Sequence, residues 1–230
     1  MNPVWLASGI FLITYALIVT ERVHRTIAAL LGGVAIILFG VLEQDQAFDA
    51  IDWNVIFLLA GMMMIASIMS ETGFFQWIAV QSVRFGKGDP FRIMIILVLV
   101  TAITSALLDN VTIVILMAPV TLFIAASLGV SPVPFLIALI LASNIGGTAT
   151  LVGDPPNILI GSAAGIDFIT FAANLAPIAL FILVVFLGLA WFLFRGDFKD
   201  VTSDSSSLEA IDTSELITNR PLLRKSLIVL

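Results

Sequence analysis

Six apolar runs, at residues 4–20, 26–42, 53–70, 91–108, 111–126 and 168–194, fill most of the first 195 positions. A helix needs about 20 mostly apolar residues to cross a hydrocarbon core of about 30 Å, and these runs are close to that length. In a bilayer every backbone N–H and C=O must find its partner inside the protein, which segments of this length achieve as helices. The expected class is an all-α integral membrane protein, with lipid as its first partner. Composition agrees: 60% hydrophobic residues, 11% charged and a mean hydropathy of +1.15 exclude an ordinary soluble domain. There is no cysteine, which removes disulfides and thiolate metal sites. Residues 4–20 do not read as a cleaved signal, because no basic region precedes them and no small-x-small site precedes Glu21 and Arg22.

Charge sets the orientation. All ten Lys and Arg residues lie at 21–25, at 84–92, or from Arg195 onward. The connections 43–52 and 165–167 carry Glu43, Asp45, Asp49, Asp52 and Asp167 with no basic residue. Basic loops stay in the cytoplasm, so the N-terminus is expected outside a multi-pass cytoplasmic membrane protein. Trp5, Trp53 and Trp191 sit at span ends, where amphipathic rings anchor at the headgroups. Trp77 lies in 74–85, a mixed apolar and polar stretch expected as a cytoplasmic surface helix. The run Met62–Met64 reads as bundle packing. Residues 196–221 are rich in Ser and acids and are expected to form a flexible cytoplasmic linker. Residues 222–230 read as the start of a second membrane half, continuing beyond Leu230.

Two places break the apolar pattern. One is the turn at Asp109–Asn110, between 91–108 and 111–126. Parity allows two full spans with an external turn, or a re-entrant hairpin whose tip stops inside the bilayer. The other is 143–157, flanked by a nine-residue apolar piece, 134–142, of roughly 14 Å. It holds Ser143, Asn144, Gly146, Gly147, Thr148, Thr150, Gly153, Asp154, Pro155, Pro156 and Asn157. Consecutive prolines remove two backbone donors, glycines allow turns with positive φ, and Asn157 is placed to cap a second short helix, 158–164. The expectation is half-helix, extended polar loop, half-helix, within one crossing.

Ionisable groups inside a membrane span are costly and mark ion or substrate paths. Broken helices turn open carbonyls toward a cation and open N–H groups toward an anion. Asn110, Thr112, Asn144 and the glycine carbonyls offer neutral oxygens suited to Na⁺, while Asp109 and Asp154 offer titratable ones through which H⁺ could couple. For Asp154 a role inside its own turn, bonding nearby backbone, is the competing expectation.

The segments LLDNVTIVILMAPVT (107–121) and ASNIGGTATLVGDPPNILI (142–160) resemble the signatures of the ArsB/NhaD permease family. That family lies in the ion transporter superfamily, with the citrate and dicarboxylate carriers. The resemblance implies a secondary transporter, not an enzyme, of two inverted repeats, each with a re-entrant hairpin and a discontinuous helix. Residues 1–195 would be one such repeat, Asp109–Thr112 its hairpin tip, and 143–157 the unwound loop beside it. Dicarboxylate carriers resemble Ser-Asn-Thr at the tip; here the residues are Asp109, Asn110, Val111 and Thr112. An acid in place of the hydroxyl weighs against a dicarboxylate and toward proton coupling.

The expected function is thus an ion-coupled carrier, proton-linked, moving arsenite or exchanging Na⁺ for H⁺, with Asp109 binding and releasing the coupling proton. A Na⁺- or H⁺-coupled carrier of citrate, dicarboxylate or another anion is the alternative. No cofactor is expected beyond Na⁺ or H⁺ as coupling ion. Partners would be the second transporter half, a small inorganic ion or anion, and a second copy in a homodimer; no nucleic acid is expected. An intramembrane aspartyl protease resembles Tyr-Asp and Gly-x-Gly-Asp at its two acids, whereas Leu108 and Leu151 occupy the key positions here. A channel or a non-transporting subunit is the remaining class, and no selectivity-filter ring supports a channel.

Overall fold

The computed structural model describes residues 3–198 and 219–229. Its helices are α1 (Pro3–Val19), α2 (Arg25–Leu38), α3 (Gln44–Asp49), α4 (Trp53–Glu71), α5 (Phe74–Gly86), α6 (Pro90–Leu107), α7 (Asn110–Ser127), α8 (Pro132–Gly147), α9 (Pro155–Ala164), α10 (Phe168–Phe194) and α11 (Arg220–Val229). A 3₁₀ turn, Arg195–Phe198, continues α10. Among the described residues, four helices are long and apolar enough to cross a membrane: α4, α6, α7, and α10 with its turn. Positions 199–218 of the expected linker lie outside the described residues, and α11 already begins at Arg220.

The chain divides into two compact units, Met1–Asn54 and Val55–Leu230. In the first, α1 packs on α2. Gly32 makes this possible, because a β-carbon there would run into the Thr14 side chain; small residues let helices in lipid approach closely. The sequence run expected to 42 stops at Leu38. Gly40 adopts φ +65°, and Gly40 N donates to Ile37 O while Val41 N donates to Ile36 O. This pair of bonds closes a helix with a left-handed residue, for which glycine has no steric cost. The acidic connection after it is not a plain loop, since α3 forms inside it. Glu43 N donates to the Gln46 side chain at 3.3 Å, the backward reach of a Gln three residues into the helix that a capping box uses.

The second unit has one large apolar core shared by α4, α5, α6, α7, α8 and α10, with Met69, Phe75, Val83, Ile93, Ile113, Met117, Phe135, Leu139 and Phe186 inside. α8 packs along both α6 and α7 and also touches α10. A smaller cluster joins Val55 and Met62 of α4 to Ile158 of α9. Met62 is therefore buried while Met63 and Met64 are exposed. Helix α5 buries one face: Phe75, Ile78, Ser82 and Val83 are buried as it packs against α6 and α7, while Trp77 is half-buried. Trp5, Trp53 and Trp191 are exposed, and Arg195 stacks over the Trp191 ring at 4.4 Å.

Helix starts follow local chemistry. Asp89 accepts from Phe91 N and Arg92 N to start α6, with Pro90 at the first position, where its missing N–H is no loss. Asp167 accepts from Thr170 N at 2.9 Å and from its hydroxyl at 2.7 Å to start α10. The Thr170 backbone N–H, and then its hydroxyl, hold the Asp167 carboxyl below the usual carboxylate range.

Candidate functional site

The α6–α7 connection is two residues long, an extended Leu108 and then Asp109 at φ −58°, ψ 133°. Leu108, Asp109 and Asn110 are all buried, so this turn is covered by protein and does not hang free. Asp109 is the N-cap of α7: its carboxylate accepts from Val111 N at 3.1 Å and Thr112 N at 3.0 Å, and the Thr112 hydroxyl also donates to it. Helix starts leave N–H groups without partners, and Asp is among the best side chains to take them. Thr112 therefore serves Asp109 directly.

The break between α8 and α9 is shorter than the sequence suggested. Residues 143–147 are helical, and the unwound part is 148–154. The expected half-length helix 134–142 is in fact α8, sixteen residues or about 24 Å long. Polar side chains here do not unwind it, because they bond within the helix. Ser143 Oγ and Asn144 Nδ2 both donate to Ile140 O, at 2.9 and 2.8 Å, and the Thr148 hydroxyl donates to Ile145 O at 2.7 Å. Nor does Asn157 cap α9. The helix starts at Pro155 and Pro156, with Asp154 as N-cap residue and Asn157 third in its first turn; proline is pre-shaped for the first helical turn.

The glycines act through their missing side chains and not through positive φ, which none of Gly146, Gly147 and Gly153 adopts. A β-carbon on Gly146 would strike the Ala102 backbone of α6. One on Gly147 would lie 2.8 Å from Gly153 O, and one on Gly153 would lie 2.5 Å from Gly147 O and 2.6 Å from Ser105 O. These three positions let the helix end, the loop and the hairpin close on one another, backbone against backbone.

Hydrogen bonds tie the two broken elements together. Asn110 N donates to Gly153 O at 3.1 Å, and Asn110 Nδ2 donates to Asn144 Oδ1 at 3.3 Å. The Thr150 hydroxyl donates to Ala106 O at 2.5 Å and accepts from Gly153 N at 3.2 Å. Ser105 Oγ donates to Ser143 O at 2.7 Å. Asn157 Nδ2 donates to Gly147 O at 3.1 Å and Thr150 O at 2.9 Å.

Of the residues singled out from sequence, Asp109, Asn110, Thr112, Ser143, Asn144, Gly147, Thr150 and Asn157 thus enter one assembly. Thr148 is exposed and turned onto its own helix, and Pro156 is exposed on the outer side of α9. Gly153, one of the glycines of the break, joins the assembly through its carbonyl. Ser105 and the Ala106 carbonyl also take part without any motif to mark them; their only signal is position, Ser105 standing four residues, one helical turn, before Asp109.

Two groups are left uncommitted. Asn110 Oδ1 is buried without a partner, and an unmet buried acceptor is costly. Asp154 is half-buried at the start of α9, makes no cap hydrogen bond to it, and stands within electrostatic reach of Asp109. The first turn of a helix carries partial positive charge, which faces Asp154 and any anion arriving beside it. Among the described residues no three His, Cys, Asp or Glu side chains converge on a point. What the arrangement offers is a carboxylate, an amide oxygen and helix ends, suited to a single proton, a monovalent cation or a small anion.

The citrate transporter family (CitMHS) profile matches residues 15–230. A 46 kDa membrane protein of Mycobacterium leprae is 44% identical over 229 residues, covering 98% of this chain and 53% of that protein. An uncharacterized transporter of Mycobacterium tuberculosis is 44% identical over 230 residues, with the same coverage of 98% and 53%. The human P protein is 41% identical over 196 residues, covering 80% of this chain and 23% of P protein. The chain spans about half the length of the mycobacterial relatives it matches.

Proposed function

The chain belongs to the citrate transporter family, and from that premise we propose that it is half of an ion-coupled secondary carrier in a multi-pass membrane protein. The observation that carries this reading is the seating of the α6–α7 turn on the break between α8 and α9, through Asn110 N–H and the Gly153 carbonyl. Non-helical backbone at membrane depth persists where protein covers it or where it lines a cavity. The buried turn supports a hairpin whose tip ends inside the protein, with 148–154 as the unwound part of a discontinuous helix.

In this reading Asp154 is the open carboxylate that takes up the coupling proton or Na⁺. Asp109 supplies a second negative charge nearby while holding the first turn of α7. Asn110 Oδ1 contributes a neutral oxygen to the same cation or to the cargo. Ser143, Asn144, Gly146, Gly147, Thr148, Thr150, Pro155, Pro156 and Asn157 shape the loop that the cargo meets. A second repeat, outside this chain, would complete the site from the other side.

The cargo of the leading reading is arsenite, or Na⁺ exchanged for H⁺. A second reading, a proton- or Na⁺-coupled carrier of citrate or a related anion, is favoured by the family to which the chain belongs. The test is uptake by the reconstituted full-length protein of Na⁺, arsenite and citrate, compared side by side with and without an imposed pH gradient. Gradient-dependent, saturable uptake of one of them is the expected result. Flux that follows voltage, without saturation or counter-ion, would replace the carrier with a channel.

A further inference from the structure

We infer that Asn157 is the clasp that fixes the shape of the break, a positioning residue that sets the site without binding cargo or coupling ion itself. Pro155 and Pro156 have no backbone N–H, so the start of α9 lacks two of the donors that a loop folding back on it would use. Asn157, the next residue, supplies both from its side chain. Its Nδ2 donates to Gly147 O at 3.1 Å and to Thr150 O at 2.9 Å. An amide nitrogen has two hydrogens, and both are used.

The two acceptors are chosen by position. Gly147 is the last residue of α8, whose final carbonyls have no partner within the helix. Thr150 lies inside the unwound stretch 148–154 and is itself buried. Asn157 therefore pins both the end of one helix and the loop that follows it to the first turn of the next. The effect continues outward: Thr150 Oγ1 accepts from Gly153 N at 3.2 Å, and Gly153 O accepts from Asn110 N at 3.1 Å. The line Asn157, Thr150, Gly153, Asn110 runs from α9 to the hairpin tip. Loss of its first link frees the loop carbonyls and loosens the seat of Asn110.

The inference rests on the carrier reading for its effect on transport, and on geometry alone for its effect on the loop. The test uses the full-length protein with Asn157→Asp, which keeps size and removes both donors. Thr150→Val breaks the same line one link further on and stands in if Asn157→Asp does not fold. Hydrogen exchange at the Gly153 and Asn110 amides is expected to quicken by about tenfold or more. For whichever probe the wild type carries, among Na⁺, arsenite and citrate, half-saturation should rise about tenfold. The maximal rate should change far less, a split that general destabilisation does not give. Unchanged exchange at both amides overturns the clasp. Faster exchange with unchanged half-saturation overturns its positioning role. If the wild type carries none of the three probes while exchange still quickens, the carrier reading falls and the clasp stands.

Discussion

The backbone N–H of Asn110 points at the Gly153 carbonyl 3.1 Å away, so the turn between two long helices is bonded into the gap of a broken one. Forty-three positions separate these residues in sequence, and neither group would have a helical partner in its own segment. Asn110 N is one of the free donors at the start of α7, and Gly153 O lies in unwound chain. Each deficit is met by the other, which is how irregular backbone survives away from water.

Gly153 should tolerate no side chain. A β-carbon there would meet two backbone oxygens, Gly147 O at 2.5 Å and Ser105 O at 2.6 Å, and backbone cannot swing aside as a side chain can. Gly153→Ala is expected to cost about 1–3 kcal/mol and to abolish transport, read as a lower Tm in detergent and loss of uptake. An unchanged Tm would mean the hairpin and the break do not close this tightly.

The roles of Asp109 as helix cap and as charge can be separated. Asn keeps one acceptor oxygen where Asp109 uses two, to Val111 N and to Thr112, whereas Ala keeps none and costs about 0.5–2 kcal/mol. Asp109→Asn should therefore lose less stability than Asp109→Ala, while both lose most gradient-driven transport. Asp154 caps nothing, so Asp154→Asn should keep stability and lose coupling. Full exchange activity in Asp154→Asn would remove it from the ion path.

The Thr101 and Thr121 hydroxyls are buried without partners on α6 and α7. Removing an unsatisfied polar group for a methyl of the same shape is neutral or stabilising. Thr101→Val and Thr121→Val should therefore leave Tm unchanged or raise it. A clear fall would show that a water or an ion meets these hydroxyls in the membrane.

Asp167 gives an acid dependence with a definite sign. Its carboxyl lies below the ordinary value of 3.8 because Thr170 N–H and hydroxyl donate to it. The stabilisation is complete above that ordinary value and is lost as pH falls through the lower folded one. The Tm difference between wild type and Asp167→Ala should be constant near neutrality and vanish in strong acid. A difference that persists at the lowest pH would assign the residue a role other than its charge.

Much of this was legible in the sequence, for reasons that differ between elements. Apolar length alone announces the long helices, and the two polar interruptions announce where the chain breaks. The extent of the second break was not legible. Ser143 and Asn144 look like loop residues, yet both satisfy themselves on Ile140 O and extend α8 to Gly147. The glycines invited an argument from positive φ, while the fold uses them for close approach, which depends on what lies opposite. Likewise Ser105 and the Ala106 carbonyl matter only because Ser143 and Thr150 come to face them, and a single chain read along its length does not show that. Helix α3 was legible in principle from Glu43 and Gln46, but the acidic charges around it suggested only a loop.

The seating of the hairpin tip on the break is tested most directly by a cross-link. The side chains of Asn110 and Asn144 meet across the seat, Asn110 Nδ2 donating to Asn144 Oδ1 at 3.3 Å, and replacing them leaves the glycine contacts and the Asn110 N to Gly153 O bond in place. Residues 1–230 contain no cysteine, and any beyond them are replaced for the test. With Asn110→Cys and Asn144→Cys in the full-length protein, oxidation or a short thiol-to-thiol reagent in membranes should link the two positions, so that a cut between them no longer separates the fragments. Fragments that still separate after oxidation, from protein that remains folded in the membrane, would contradict the account.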